Sequence, residues 1–367
     1  MSNDQKKPLN GQLTRRRLIQ ISGGAAVSTL AAPSILRAAA AIEGELIVET
    51  FGGAYAEAVK EYIVKPFEER YKVKVKLSSF GSSSEQLAKL LAGNDRVDVS
   101  SLSSSRMLTA IKGGAVQALN TSEYEHFDGQ HNAFRNPNYE VGDGKNYSSV
   151  LVWGDRALAY NSDFVTDAPD SWEALFDPRY KGRVAINGSG TALINTGAIM
   201  TGQDINNVTD LVAVEAKINE LKPNLLKFWS SGSEMTQLFA TGEVWIGDFW
   251  RGRVNKLRED GFPIEYVVPK EGAVSWADTL TIPKSSVNIS AAEAFIDFSL
   301  DPEVQRNFVI KGINYAPSNQ NTVLSEEEQI MLGATPEIFD AAIFTDAAYQ
   351  AEHVDEWNVI VNRLKTS

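Results

Sequence analysis

Three tryptophans stand beside carboxylates in short polar stretches, and that pairing is the plainest chemistry the chain offers. Trp250 lies in Gly247-Asp-Phe-Trp-Arg-Gly-Arg253, Trp276 in Val274-Ser-Trp-Ala-Asp-Thr279 and Trp153 in Val152-Trp-Gly-Asp155. An aromatic face attracts a cation through the quadrupole of its ring, by roughly 0.5–2 kcal/mol per ring depending on desolvation. A carboxylate such as Asp278 adds a charge-assisted hydrogen bond to an ammonium. Together they make a box for a cationic amine. A tryptophan at a strand edge also serves as core packing, and Trp172, Trp229, Trp245 and Trp357 read that way.

Other chemistries find few residues to carry them. Cysteine is absent, so there is no disulfide, thiolate nucleophile or cysteine metal site. Of the three histidines, His126 and His131 fall in a polar stretch with Asp128, Gly129 and Asn132. Their spacing does not share a helical face, and no third ligand is evident, so no metal is expected. No Gly-x-Ser-x-Gly elbow and no Walker loop occur. Gly188-Ser-Gly190 lacks the third glycine of a dinucleotide fingerprint. A catalytic role and a cofactor are therefore not expected.

The amine box needs a scaffold, and the first residues place that scaffold outside the cytoplasm. Thr14-Arg-Arg-Arg-Leu-Ile-Gln20 reads as a twin-arginine signal. A short stretch rich in Ala, Gly and Ser follows, then Ala38-Ala-Ala-Ala41, which offers small-residue cleavage sites. Residues 1–41 are expected to be a signal peptide, with the mature chain starting near Ile42 in the periplasm. The apolar stretch is shorter than the roughly 20 residues a membrane span needs. Net charge is −12 over the full 367 residues. Without residues 1–40, which hold six Lys/Arg and one Asp, 29 basic and 46 acidic residues remain, or −17. That balance argues against nucleic acid and anionic membranes as partners. It steers cations toward the protein or simply keeps it soluble. Roughly 325 mature residues exceed one small core, which predicts two lobes.

Strands and helices alternate. Glu45–Thr50 is a strand, residues 54–70 an amphipathic helix and Val73–Ser78 a second strand. Ser82 and Glu85 signal a capping box for a helix closed by Gly93. A third strand leads into a serine-rich turn near Ser103, and a helix from Met107 stops at Gly113-Gly114. Further on, Val150–Asn161 is a long strand, and residues 171–180 form a short helix and turn. Val184–Ile186 is a strand entering a loop, Asn187–Leu193. Ser233 caps a helix, Val244–Ile246 is a strand, and Ile264–Val268 and Thr279–Ile282 are two more. Ser290 with Glu293 makes a second capping box, and Pro302 opens the next helix. This is the pattern of layered α/β lobes, whose ligands gather at the loops after the strands.

Five segments carry a resemblance: Ser171–Arg183 (SWEALFDPRYKGR), Gly242–Trp250 (GEVWIGDFW), Val268–Asp278 (VPKEGAVSWAD), Ala294–Glu303 (AFIDFSLDPE) and Gly312–Ser318 (GINYAPS). In this order they resemble bacterial extracellular solute-binding proteins of the spermidine/putrescine-binding type, components of ABC importers. The resemblance implies an α/β, two-lobed type II periplasmic binding fold with a hinge and two interlobe crossovers, near Val152 and near Asp278. It divides the chain into residues 42–152 plus 279–322 and residues 153–278 plus 323–367. A ligand would bind between the lobes, and the closed monomer would be recognised by the importer's permease and ATPase subunits.

Carried over by position, Trp276 and Asp278 match the family's aromatic–carboxylate pair, Trp250 a second wall, Tyr315 a rim tyrosine and Ser103 a hydroxyl contact. Gly53 stands where polyamine binders carry threonine, leaving a backbone contact with Phe51 or Tyr55 nearby. The departures bear on the ligand. Asn187–Leu193 lacks the two carboxylates expected there, and Ser105 replaces a tyrosine. Each ammonium of a long polyamine wants a partner, so a smaller ligand with one cationic end is expected. If Arg251 or Arg253 turns inward, a zwitterion such as an amino acid or γ-aminobutyrate is the alternative, its carboxylate held by arginine. Otherwise these arginines are a solvated surface.

Overall fold

A computed structural model describes residues 45–93, 96–140 and 142–366. The signal-peptide reading of residues 1–41 lies outside them. Among the described residues no helix is long and apolar enough to cross a membrane.

Twelve strands form the sheet: β1 (Glu45–Phe51), β2 (Lys74–Phe80), β3 (Val99–Ser103), β4 (Val116–Gln117), β5 (Ser149–Asn161), β6 (Val184–Asn187), β7 (Leu225–Trp229), β8 (Ile246–Trp250), β9 (Ile264–Val267), β10 (Val274–Pro283), β11 (Ala316–Pro317) and β12 (Ile343–Phe344). The main order is β2-β1-β3-β10-β5-β8-β6-β7. β1 pairs parallel with β2 and β3, and β6 pairs parallel with β7 and β8. The antiparallel pair β5–β10 joins these two parallel groups.

Each parallel group has its own core. Leu46, Val48, Phe67, Val99, Phe295 and Phe308 lie in the first. Trp172, Ile186, Leu193, Val214, Ile218 and Trp357 lie in the second, which Trp229, Phe239, Phe249 and Val254 extend. β5 gives Leu151 and Val152 to the first core but Ala157, Leu158 and Tyr160 to the second. β10 likewise gives Leu280 and Ile282 to the first and Val274 to the second. Both strands are buried along almost their whole length, polar residues included, because both faces are covered. The chain therefore passes between cores along β5 and β10.

The C-terminal segment departs from the expected division. Leu332 is buried in the first core, with Leu324, Met331 and Ala334 against it. The last helix, Ala347–Thr366, starts beside Leu102, Met107 and Leu108 and ends with Ile360, Val361 and Leu364 in the second core. No break in packing falls at residue 322.

Several local expectations need correction. Ser231, not Ser233, caps the helix Gly232–Ala240, accepting from Glu234 N at 3.2 Å. Ser290 caps nothing: the helix Ile289–Ser299 begins after Asn288, and buried Glu293 instead accepts from Asn120 N at 2.9 Å. At Ser82 the serine half of the box is present, while Glu85 accepts from Gly81 N at 2.9 Å. The loop after β6 turns helical at Gly190 (Gly190–Met200). A helix Arg251–Glu259 follows β8 directly, its Val254 and Leu257 buried one turn apart.

Candidate ligand-binding site

The loops at the C-terminal ends of the parallel strands converge on one cleft of about 660 Å³ between the two cores. That volume is ordinary for a small-molecule site. The first lobe supplies Phe51–Gly53, Tyr55 and Ser103–Arg106, and the second supplies Asn187, Asn195, Trp250 and Arg253. Trp276 and Asp278 come from the crossover strand β10, and Tyr315 precedes β11.

Asp278 sits at the join. Its Cα is opposite Ser103 of β3 on one side and Val152 of β5 on the other, and the β5–β10 register shifts at Asp278/Thr279. Such a bulge re-aims a side chain. Burial pushes the Asp278 carboxyl up to about 8. Among the described residues its side chain makes no hydrogen bond or ion pair. Its charge is felt by both neighbouring tyrosines: Tyr55 is raised first by burial and then by Asp278, whereas Tyr315 is raised by burial, lowered next by Arg253, which also hydrogen-bonds to it, and raised less by Asp278.

Trp276 lies within β10, opposite Gly154 of β5. A Cβ on Gly154 would come 2.9 Å from the Trp276 ring, so glycine there lets the indole lie across the strand. Trp276 Nε1 is buried with no partner among the described residues, as are Tyr55 Oη and Asn195 Oδ1. Buried polar atoms are rarely left so, and all three residues line the cleft. Gly53 has φ 69°, which suits glycine. A Cβ there would stand 3.6 Å from Ser233 Oγ of the other lobe.

Six of the seven positions expected from the sequence line the cleft: Gly53, Ser103, Trp250, Trp276, Asp278 and Tyr315. Arg251 does not. Its Nε donates to Asp155 Oδ1 at 2.8 Å, and its guanidinium lies 4.5 Å from the centre of the Tyr266 ring. Helical geometry explains this: adjacent residues of the Arg251–Glu259 helix point apart, so Arg251 turns to Asp155 while Arg253, two residues on, turns to the cleft. Trp153 is also no wall. It is buried, donates from Nε1 to Pro317 O at 3.2 Å and packs on Phe134 and Phe339.

Residues 62–337 match the family of bacterial extracellular solute-binding proteins. The chain belongs to that family. The spermidine/putrescine-binding periplasmic protein of Escherichia coli (strain K12) is 29% identical over 270 residues, covering 72% of this chain and 76% of its own. The γ-aminobutyric acid-binding protein of Pseudomonas aeruginosa is 25% identical over 331 residues, covering 87% and 90%. The structure of a spermidine/putrescine ABC transporter substrate-binding protein from Streptococcus pneumoniae superposes with a TM-score of 0.73 at 21% identity, over 88% of this chain and 100% of that one. The fold is the two-lobed α/β fold of periplasmic binding proteins, and its cleft is where this solute-binding protein is built to receive a solute.

Two cleft residues escaped the sequence reading. Arg156, on β5, is buried and ion-paired with Asp248 of β8; it also donates to Thr196 Oγ1 at 3.0 Å and Ala192 O at 3.2 Å. Asp248 in turn accepts from Asn187 N at 2.7 Å and Trp229 Nε1 at 2.9 Å. This network fixes the second-lobe wall of the solute-binding protein. Arg106, in the helix Ser104–Lys112, is half-buried and makes no hydrogen bond or ion pair among the described residues. Burial lowers its pKa, yet a guanidinium stays charged.

Proposed function

We propose that this solute-binding protein captures a small amine-containing solute between its lobes and delivers it to the permease and ATPase subunits of an ABC importer. The observation that carries this is Asp278: a buried carboxylate without a partner, facing a cleft walled by Trp276, Trp250, Tyr55 and Tyr315. An ammonium meets there the one partner a buried carboxylate lacks. The rings add cation–π attraction, strongest once water is excluded. β5 and β10 are the hinge, and a ligand that touches both lobes favours the closed state by the difference in its affinity for the two states. The spermidine/putrescine-binding relative of Escherichia coli and the γ-aminobutyric acid-binding relative of Pseudomonas aeruginosa support an amine.

Export through the twin-arginine route, from the Thr14–Gln20 sequence, and action as a monomer complete the proposal. A thermal-shift panel of putrescine, spermidine, γ-aminobutyrate, other amino acids and neutral sugars tests the ligand class. An amine is expected to raise the melting temperature by several degrees. A shift with a neutral sugar and with no amine would contradict the reading.

A further inference from the structure

We propose that the cleft also selects for a carboxylate: Arg106 on the first lobe and Arg253 on the second grip the anionic end of a small zwitterion, and the same two guanidiniums exclude diamines and polyamines. This rests on Asp278 taking the ammonium, as proposed above.

Arg106 follows β3 in a helix packed on the first lobe through Met107 and Leu108. Arg253 stands in the first turn of the Arg251–Glu259 helix, packed on the second lobe through Val254 and Leu257. Both line the cleft. Neither has a carboxylate partner among the described residues, whereas Arg156 is paired with Asp248 and Arg251 with Asp155. Removing a guanidinium from bulk water without a counter-charge is costly. Closing the lobes over a diamine would bring a second ammonium into a cleft that already holds these two cations. Closing them over a carboxylate would give both a bidentate partner.

The backbone adds to the same sign. Five helices of nine or more residues begin at the cleft, after Ser82, Ser103, Ser189, Ser231 and Trp250. Ser103, Ser189 and Trp250 place no side-chain cap on the first-turn N–H groups. Uncapped helix N-termini favour negative charge.

γ-Aminobutyrate and putrescine form a matched pair: four carbons each and one ammonium in common, with the carboxylate of one replaced by an aminomethyl cation in the other. Isothermal titration should show γ-aminobutyrate binding at least 100-fold more tightly than putrescine. Arg106→Ala should weaken γ-aminobutyrate at least 30-fold, leave putrescine unchanged or improved, and leave the melting temperature of the empty protein nearly unaltered, since Arg106 makes no internal bond. Arg106→Lys should recover part of the affinity. Putrescine binding the wild type as tightly as γ-aminobutyrate would overturn the inference and leave the amine reading standing. Binding of glutarate but of no amine would overturn the Asp278 reading and, with it, the zwitterion. Binding of neither member of the pair overturns the inference as stated.

Discussion

Trp276 and Tyr315 meet edge to face, their ring centroids 4.7 Å apart and their planes at 88°. The contact ties β10, which passes between the cores, to the segment leading into β11. Gly154 makes it possible: a Cβ there would lie 2.9 Å from the indole and 3.3 Å from the Tyr315 ring. Gly154→Ala should therefore displace Trp276 from the cleft wall. We expect ligand affinity to fall at least tenfold, read by titration, with a melting temperature lowered by only a few degrees. Unchanged affinity would show that the position of the indole does not matter for binding.

Asp278 should make the empty protein sensitive to pH. Its folded-state pKa is about 8, against about 4 for an unfolded aspartate. Between those values the folded protein keeps a proton that the unfolded chain has lost, so stability is full below about pH 4 and falls as pH rises toward 8. Asp278→Asn should remove that loss: its melting temperature should exceed that of the wild type at pH 8 and approach it at pH 4. Parallel curves would contradict the assignment.

Binding should show the same proton. An ammonium ligand stabilises the ionised carboxylate, so one proton leaves on binding below about pH 8. Affinity should rise roughly tenfold per pH unit between pH 6 and 7.5. Titration in buffers of different ionisation enthalpy would report the released proton, and a buffer-independent heat would count against it.

Arg251→Ala should act on stability. The Arg251–Asp155 pair joins a buried carboxylate to a largely buried guanidinium, and removing one partner of a buried pair costs about 3–5 kcal/mol. Denaturant unfolding should show that loss, while ligand affinity at a temperature well below the transition stays within a few fold. A selective loss of carboxylate ligands with full stability would instead place Arg251 in the site.

The α/β alternation, the two lobes and the passage of β5 and β10 between them were legible because strand and helix periodicities differ and the five resemblance segments fall in order. Trp250, Trp276 and Asp278 were legible as an aromatic–carboxylate set. Trp153 was not separable from them, since burial on the far side of β5 leaves no local mark. The arginines were harder. Arg251 and Arg253 are two residues apart, and only the helix beginning at Arg251 decides which enters the cleft; a strand followed by surface gave no such phase. Arg156 is disguised by its strand and meets Asp248 across a strand pairing. Arg106 follows a serine-rich turn, and only the absence of any folded partner singles it out.

Isothermal titration of one amine solute from the thermal-shift panel into wild-type and Asp278→Asn protein at pH 7.5 tests the central claim most directly. The account predicts saturable one-to-one binding to the wild type and at least a 100-fold loss in the variant, which should remain folded. Equal affinity in the two proteins would contradict it.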